Sequence, residues 1–125
     1  MARLKAEFLE RIESFCDRIV DVAEAVKEKG HSNRIVEQIM ASGTSVGANL
    51  YEADEAMSRA DFTKSVCISI KELNEAKFWI RFIGRRGWVA ARRLATLEAE
   101  ANELRRILGT MVSRTKSPNR HVAAS

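Results

Sequence analysis

Apolar side chains recur at steps of three and four residues through most of this 125-residue chain, the period of an α-helix rather than a strand. The first stripe, Leu4, Phe8, Ile12, Phe15, Ile19, Val22 and Val26, predicts one amphipathic helix over residues 3–29, ended by Gly30. A second helix carries Ile35, Ile39, Val46 and Leu50, with Ser32 placed to cap it. Ser58, with Asp61 three residues on, has the form of a capping box. It opens a third helix that runs to Gly84 on the stripe Phe62, Val66, Ser69, Leu73, Ala76, Ile80 and Ile83. After a turn at residues 84–87 the fourth stripe is Ala90, Leu94, Leu97, Ala101, Leu104, Leu108 and Met111. Residues 115–125 carry no stripe and read as a disordered C-terminal tail after a bundle domain spanning residues 1–114. Four long helices joined by short connections alternate in direction, and four facing stripes close one core. The predicted fold is therefore all-α, an up-down-up-down antiparallel four-helix bundle.

Two stretches depart from the simple pattern. In the second helix, Ala41, Ser42, Gly43, Thr44, Ser45, Gly47 and Ala48 are nearly consecutive. Each glycine lowers helix propensity but lets another backbone come close, so tight packing is expected there. In the third helix, at about 100° per residue, Phe78 and Phe82 fall roughly 160° to 200° from the stripe that holds Phe62 and Leu73. They cannot share its core. With Ile68 and Trp79 beside them they form a second apolar face, and its economical explanation is burial between subunits of a homo-oligomer.

Composition narrows the class. The single proline, Pro118, lies in the tail, and six glycines are too few and too irregularly spaced to punctuate a many-stranded protein. The N-terminus is charged every few residues, so neither a secretory signal nor a membrane span is predicted and the expected location is the cytoplasm. Cys16 and Cys67 form no zinc or redox spacing and are expected as small, buried or half-buried hydrophobes.

Charge is segregated along the chain. Residues 1–76 hold 10 basic and 14 acidic side chains, whereas residues 77–125 hold 11 basic and 3 acidic ones. Between residues 77 and 93 there are six cations, Lys77, Arg81, Arg85, Arg86, Arg92 and Arg93, and no carboxylate, with Trp79 and Trp88 interleaved. In an antiparallel bundle much of this segment shares one pole with the first connection, which brings Lys27, Lys29, His31 and Arg34. An anionic partner is the natural complement of such a pole. Arg85 and Arg86 are the first candidates for phosphate contact, and Trp88 is a candidate stacking platform; the equal alternative is a solvated charged pole with Trp88 packed as a lid over the core.

The run from Gln38 to Glu52, with Ser45, Val46, Ala48 and Asn49 in it, is followed by Asp61 and Phe62 and then by Glu72 and Leu73. This order resembles the four-helix-bundle family encoded in intervening sequences of bacterial large-subunit ribosomal RNA genes. That family carries a Ser-Ile/Val-x-Ala-Asn-Ile-Ala-Glu-Gly run, an acidic-aromatic pair and a Glu-Leu pair. A related branch is the accessory protein of diversity-generating retroelements, a basic pentameric barrel that binds nucleic acid and partners a reverse transcriptase. The resemblance implies a ring of five subunits and a role linked to nucleic acid. Two positions depart from the pattern: Gly47 stands where proline is common, and Ala53 where glycine usually follows the glutamate. The second helix is accordingly expected to continue past Glu52 toward Met57.

Catalysis finds little support. Glu52, Asp54, Glu55 and the Glu72/Glu75 pair offer a weak magnesium-type alternative, that of a nucleotide hydrolase, because residues three apart share a helix face. Such pairs are ordinary on helices, where they form caps and salt links. A di-iron bundle needs Glu-x-x-His on two helices, and only Glu28 and His31 have that spacing, with Gly30 between them. No serine or cysteine has a histidine placed to activate it. The expected protein is a non-enzymatic homo-oligomer without a cofactor or metal, binding structured RNA or DNA through Lys77, Arg81, Arg85, Arg86, Trp88, Arg92 and Arg93 without base specificity. Its subunits are expected to meet through Ile68, Phe78, Trp79 and Phe82. The alternative is a protein-interaction scaffold whose basic pole engages an acidic partner such as a polymerase.

Overall fold

A computed structural model describes the backbone of residues 2–124 and the side chains of residues 2–115. The helices are α1 (Ala6–Glu28), α2 (Asn33–Asp54), α3 (Arg59–Arg86) and α4 (Ala91–Ala124). They run alternately up and down, and α1 packs on α2, α2 on α3, and α3 on α4. The expected bundle is therefore the observed one. Residues 115–125, read from sequence as a tail without structure, fall mostly on positions whose side chains lie outside the described residues; the α4 backbone continues to Ala124.

The stripes become the core nearly as written. Ile12, Phe15 and Ile19 of α1, Ile39, Val46 and Leu50 of α2, Leu73, Ile80 and Ile83 of α3, and Leu97, Leu104 and Leu108 of α4 are all buried. Leu4, Phe8, Ile35, Phe62 and Met111 are half-buried at its edges. Ala90, placed in the fourth stripe by its spacing, is exposed, because α4 begins only at Ala91 and Val89, in the connection before it, is buried instead.

Small residues set the distance between α1 and α2. A Cβ placed on Gly43 would lie 2.7 Å from Ile19 Cβ and overlap Ile19 Cγ2, and one on Gly47 would lie 2.9 Å from Cys16 Sγ. The Cys16 thiol donates to the Gly43 carbonyl at 3.2 Å, and burial, helped by Asp17 and Glu13, pushes its pKa up. Cys67, expected to be at least half-buried, is exposed, because its position on α3 faces away from the core. On the other side of α2, the buried Ser69 hydroxyl of α3 donates to the Val46 carbonyl at 2.9 Å. That bond explains a serine inside an otherwise apolar stripe: a buried hydroxyl must find a partner.

α1 and α4 close the bundle with their backbones less closely approached than those of the other neighbouring pairs. Polar clasps join them. Arg11 forms a two-pronged pair with Glu100, 2.7 Å at each prong, and Arg18 Nη2 donates to Thr96 Oγ1 at 2.8 Å. The Arg11 hydrogen bonds hold the Glu100 carboxyl below its ordinary pKa, against an opposing effect of burial.

Helix ends follow local chemistry. Ser58 Oγ accepts from the Asp61 amide at 3.1 Å, so the cap predicted for α3 is present. Ser32 occupies the N-cap position of α2, but its hydroxyl makes no capping bond, and its carbonyl accepts from the Val36 amide instead. The N-terminal segment explains two shifted boundaries. Arg3 and Leu4 donate their amides to Asp54 Oδ1 at 2.8 and 2.7 Å, and Arg3 Nε donates to the Ala56 carbonyl at 2.9 Å. Residues 3–5 therefore cross the end of α2 instead of opening α1, and α2 stops at Asp54 short of the expected approach to Met57.

Gly43→Ala should destabilise the fold. Overpacking costs about 1–3 kcal/mol, generally more than the ~1 kcal/mol by which alanine favours a helix over glycine. Urea unfolding in an Ile19→Ala background should show the two changes coupled, with Gly43→Ala costing less there than in the native chain; additive effects would contradict the close approach. Glu100→Gln should cost under about 1 kcal/mol near neutral pH, since the pair is partly exposed. Because the folded-state pKa of Glu100 is depressed, its contribution is present above the unfolded-state pKa and fades as pH falls through the folded one. Unfolding curves of native and Glu100→Gln protein should therefore converge on acidification.

Candidate nucleic-acid interface

Two glycines build the pole where α1 and α3 end. Gly30 and Gly87 adopt left-handed backbone, with φ of +80° and +68°, which carries no steric cost for a residue lacking Cβ. At the end of α3 the Gly87 amide bonds the Gly84 carbonyl at 3.1 Å and the Trp88 amide bonds the Ile83 carbonyl at 3.1 Å. At the end of α1 the Gly30 amide bonds the Lys27 carbonyl at 2.9 Å, and the His31 amide reaches the Val26 carbonyl at 3.4 Å. Both are Schellman motifs, which satisfy terminal carbonyls and turn the next residue back over the helix end. α3 thus runs two residues beyond the expected Gly84, and Gly87 is its true stop.

The residues so turned meet. The rings of His31 and Trp88 stack with centroids 3.9 Å apart and planes 13° from parallel. Trp88 also packs against the core and meets Phe82 edge-on, with centroids 5.6 Å apart, while Lys29 Nζ donates to its carbonyl at 2.6 Å. Trp88 therefore closes the end of the core, and a base stacking on the indole would have to displace His31.

Around this plug stand Arg34, Arg85, Arg86, Arg92 and Arg93, all exposed, together with Lys27 and Lys29. None of the five arginines has an ion pair with a described residue, although arginines elsewhere do: Arg11 with Glu100, Arg81 with Glu98 at 2.9 Å, and Arg106 with Glu103. Arg85 lies over the Phe82 ring, 5.9 Å from its centroid. Two residues of the sequence set fall outside this group. Arg81 has its charge met by Glu98, and Lys77 is half-buried about 14 Å back along α3 from Arg86. Arg34, Lys29 and the His31 stack join the pole through the first connection, and the strongest sequence signal for them is Gly30 paired with Gly87.

The second apolar face is also present. Phe78 is 51% exposed, and its ring meets those of Trp79 and Phe82 at 5.0 and 6.1 Å. Trp79 and Phe82 are half-buried, and Trp79 Nε1 donates to Glu75 at 3.3 Å. Ile68 is exposed but detached, about 15 Å away along α3 with charged Lys71, Glu72 and Glu75 between. Through the contact between Phe82 and Trp88, the aromatic face and the cationic pole form one continuous surface. Two exposed apolar residues, Tyr51 and Met57, have no place in the sequence-level site. The Tyr51 hydroxyl bonds Glu13 across α1 and α2.

The carboxylates weighed as a magnesium site do not gather: among the described residues no three His, Cys, Asp or Glu side chains are grouped as a metal would require. Among those residues, too, no helix is long and apolar enough to cross a membrane.

Residues 5–110, nearly the whole bundle, match the 23S rRNA-intervening sequence protein family. The chain belongs to that family. A crystal structure from Bacteroides thetaiotaomicron, described as a protein with unknown function from the S23 ribosomal protein family, is similar to it, with a TM-score of 0.78 and 30% identity. The similarity covers 83% of this chain and 96% of the other. No curated protein matches the chain. Family membership accounts for the motif around Asn49 and Glu52: in this member Asn49 Nδ2 donates to the Ser45 carbonyl at 2.9 Å, a bond within α2.

Proposed function

We propose that this family member is a non-enzymatic, cytoplasmic homo-oligomer that binds structured RNA or DNA through the pole at the ends of α1 and α3, without reading base sequence. One observation carries the reading. Five exposed arginines, Arg34, Arg85, Arg86, Arg92 and Arg93, surround one end of the bundle without intramolecular ion pairs among the described residues. Phosphate is the ligand that guanidinium groups match best, through paired N–H donors. The N-termini of α2 and α4 lie at the same end, and their dipoles also favour anions. Contact with the backbone alone is sequence-independent. With Trp88 stacked on His31, docking rests on charge, and the indole has a structural role.

The aromatic face supports the assembly part of this reading. A half-exposed Phe78 beside Trp79 and Phe82 is costly to leave in water, and a second copy of the chain is the occupant this proposal assigns to it. Copies joined there, as a ring of five or another closed number, would place their arginine poles side by side and bind one nucleic acid through several sites.

Fluorescence anisotropy with a labelled RNA hairpin and a DNA duplex tests the first element. Saturable binding should weaken steeply with salt, with a slope on duplex DNA of about 0.9 per phosphate neutralised. Arg85→Glu combined with Arg86→Glu should reduce that slope by about 2 for each subunit engaged and weaken binding at least tenfold. Absence of binding at low salt would replace this reading with a scaffold for an acidic protein. For the second element, Phe78→Asp combined with Phe82→Asp should yield monomers by light scattering, with helical circular dichroism retained.

A further inference from the structure

The two ends of the bundle are finished differently. At the arginine pole Trp88 covers the core. At the opposite end the connection between α2 and α3 supplies no such lid, and its one large apolar residue, Met57, is 91% exposed. A cleft of about 550 Å3 opens there between the start of α1, the first turn of α3 and α4. Its floor is Leu4, Phe8, Phe62, Ile107 and Met111, each half-buried. That volume lies within the range of small-molecule sites, which are concave, mostly apolar and fixed in specificity by a few polar groups.

The polar groups are all of one sign. Arg3, Lys5, Arg59 and Arg114 line the cleft, and no carboxylate does so among the described residues. Arg3 is partly committed through Nε to the Ala56 carbonyl. Lys5, Arg59 and Arg114 have no ion pair with a described residue. Four exposed cations around an apolar floor leave an unmet positive charge beside an unmet apolar surface. A ligand that relieves both conditions has an apolar body and an anionic head. Asp54, on which Arg3 and Leu4 are anchored, is engaged by their amides and does not line the cleft.

We propose that this cleft binds a single medium-chain carboxylate, with its acyl chain on Phe8, Phe62 and Met111 and its head group among Lys5, Arg59 and Arg114. The site is separate from the arginine pole and independent of any binding there. The acyl chain replaces water over the floor, so each methylene it buries adds to affinity. The cations select the head group by charge, so an alcohol of equal length would gain the apolar contacts alone and a cationic amphiphile would be repelled.

The test is calorimetric titration of the full chain with decanoate, decanol and decyltrimethylammonium, each below its micelle threshold. Decanoate should bind at one site per chain, at least tenfold more tightly than the other two. Arg59→Glu combined with Arg114→Glu should weaken decanoate at least tenfold while circular dichroism is unchanged, and Arg85→Glu combined with Arg86→Glu should leave its affinity as it was. With methyl-labelled methionine, the Met111 resonance should shift on titration and those of Met40 and Met57 should not. Equal binding of the three amphiphiles, an unaltered affinity in the Arg59/Arg114 variant, or a loss in the Arg85/Arg86 variant would each overturn the assignment. So would association with anionic phospholipid vesicles in preference to free decanoate, which would make the cleft a membrane contact.

Discussion

The close approach of α1 and α2 is the constraint on which the rest of the bundle depends. With glycine at positions 43 and 47, Ile19 and Cys16 sit directly against the α2 backbone. Protein interiors are packed too densely to absorb the displacement of a whole helix. Any residue with a side chain at position 43 would push α2 outward and strain the Ser69 bond to the Val46 carbonyl on its far side. α2 is therefore the narrow element gripped by its two neighbours. The glycines lower its intrinsic helicity, and packing from both sides makes up the difference, which is how most helices in folded proteins are stabilised.

That spacing reaches the ends of the helices. Gly30 and Gly87 each turn the following residue back over the bundle, but the stack of His31 on Trp88 forms only if the ends of α1 and α3 are level and close. The core itself has no unpartnered side-chain nitrogen or oxygen among the described residues: the Ser42 hydroxyl bonds the Ile39 carbonyl, and Ser69 bonds Val46. Chemistry is consequently confined to surfaces, namely a plugged cationic end, an open cationic cleft and an aromatic flank.

The fold was legible because its signal is periodic and redundant. A stripe of seven apolar residues tolerates an error at one of them, which is why α4 was found although Ala90 was counted in place of Val89. The small-residue run also transferred directly, since Gly43 has little reason to stand in a helix except close packing. Features that depend on a single distant partner were not legible. Nothing near Arg81 in sequence shows that Glu98 faces it, and nothing near Asp54 shows that the amides of Arg3 and Leu4 cross to it. Trp88 was ambiguous for the same reason: interleaved among arginines it has the appearance of a stacking platform, and only the positive φ at both Gly30 and Gly87 brings His31 to its face.

The join between the aromatic flank and the arginine pole ties together the two halves of the proposed function. Phe82 touches Trp88 on one side and Phe78 and Trp79 on the other, and Arg85 lies over its ring. A copy of the chain docked on Phe78 would bear on the wall that supports Arg85, so assembly would fix the orientation of that arginine as well as the spacing between successive poles. Individually weak, exposed phosphate contacts become strong when several are presented at once in a fixed array, because later contacts form at high effective concentration. A monomer would keep the same charges but lack the array. Under the proposed function the aromatic face would govern how firmly nucleic acid is held even though it carries no charge.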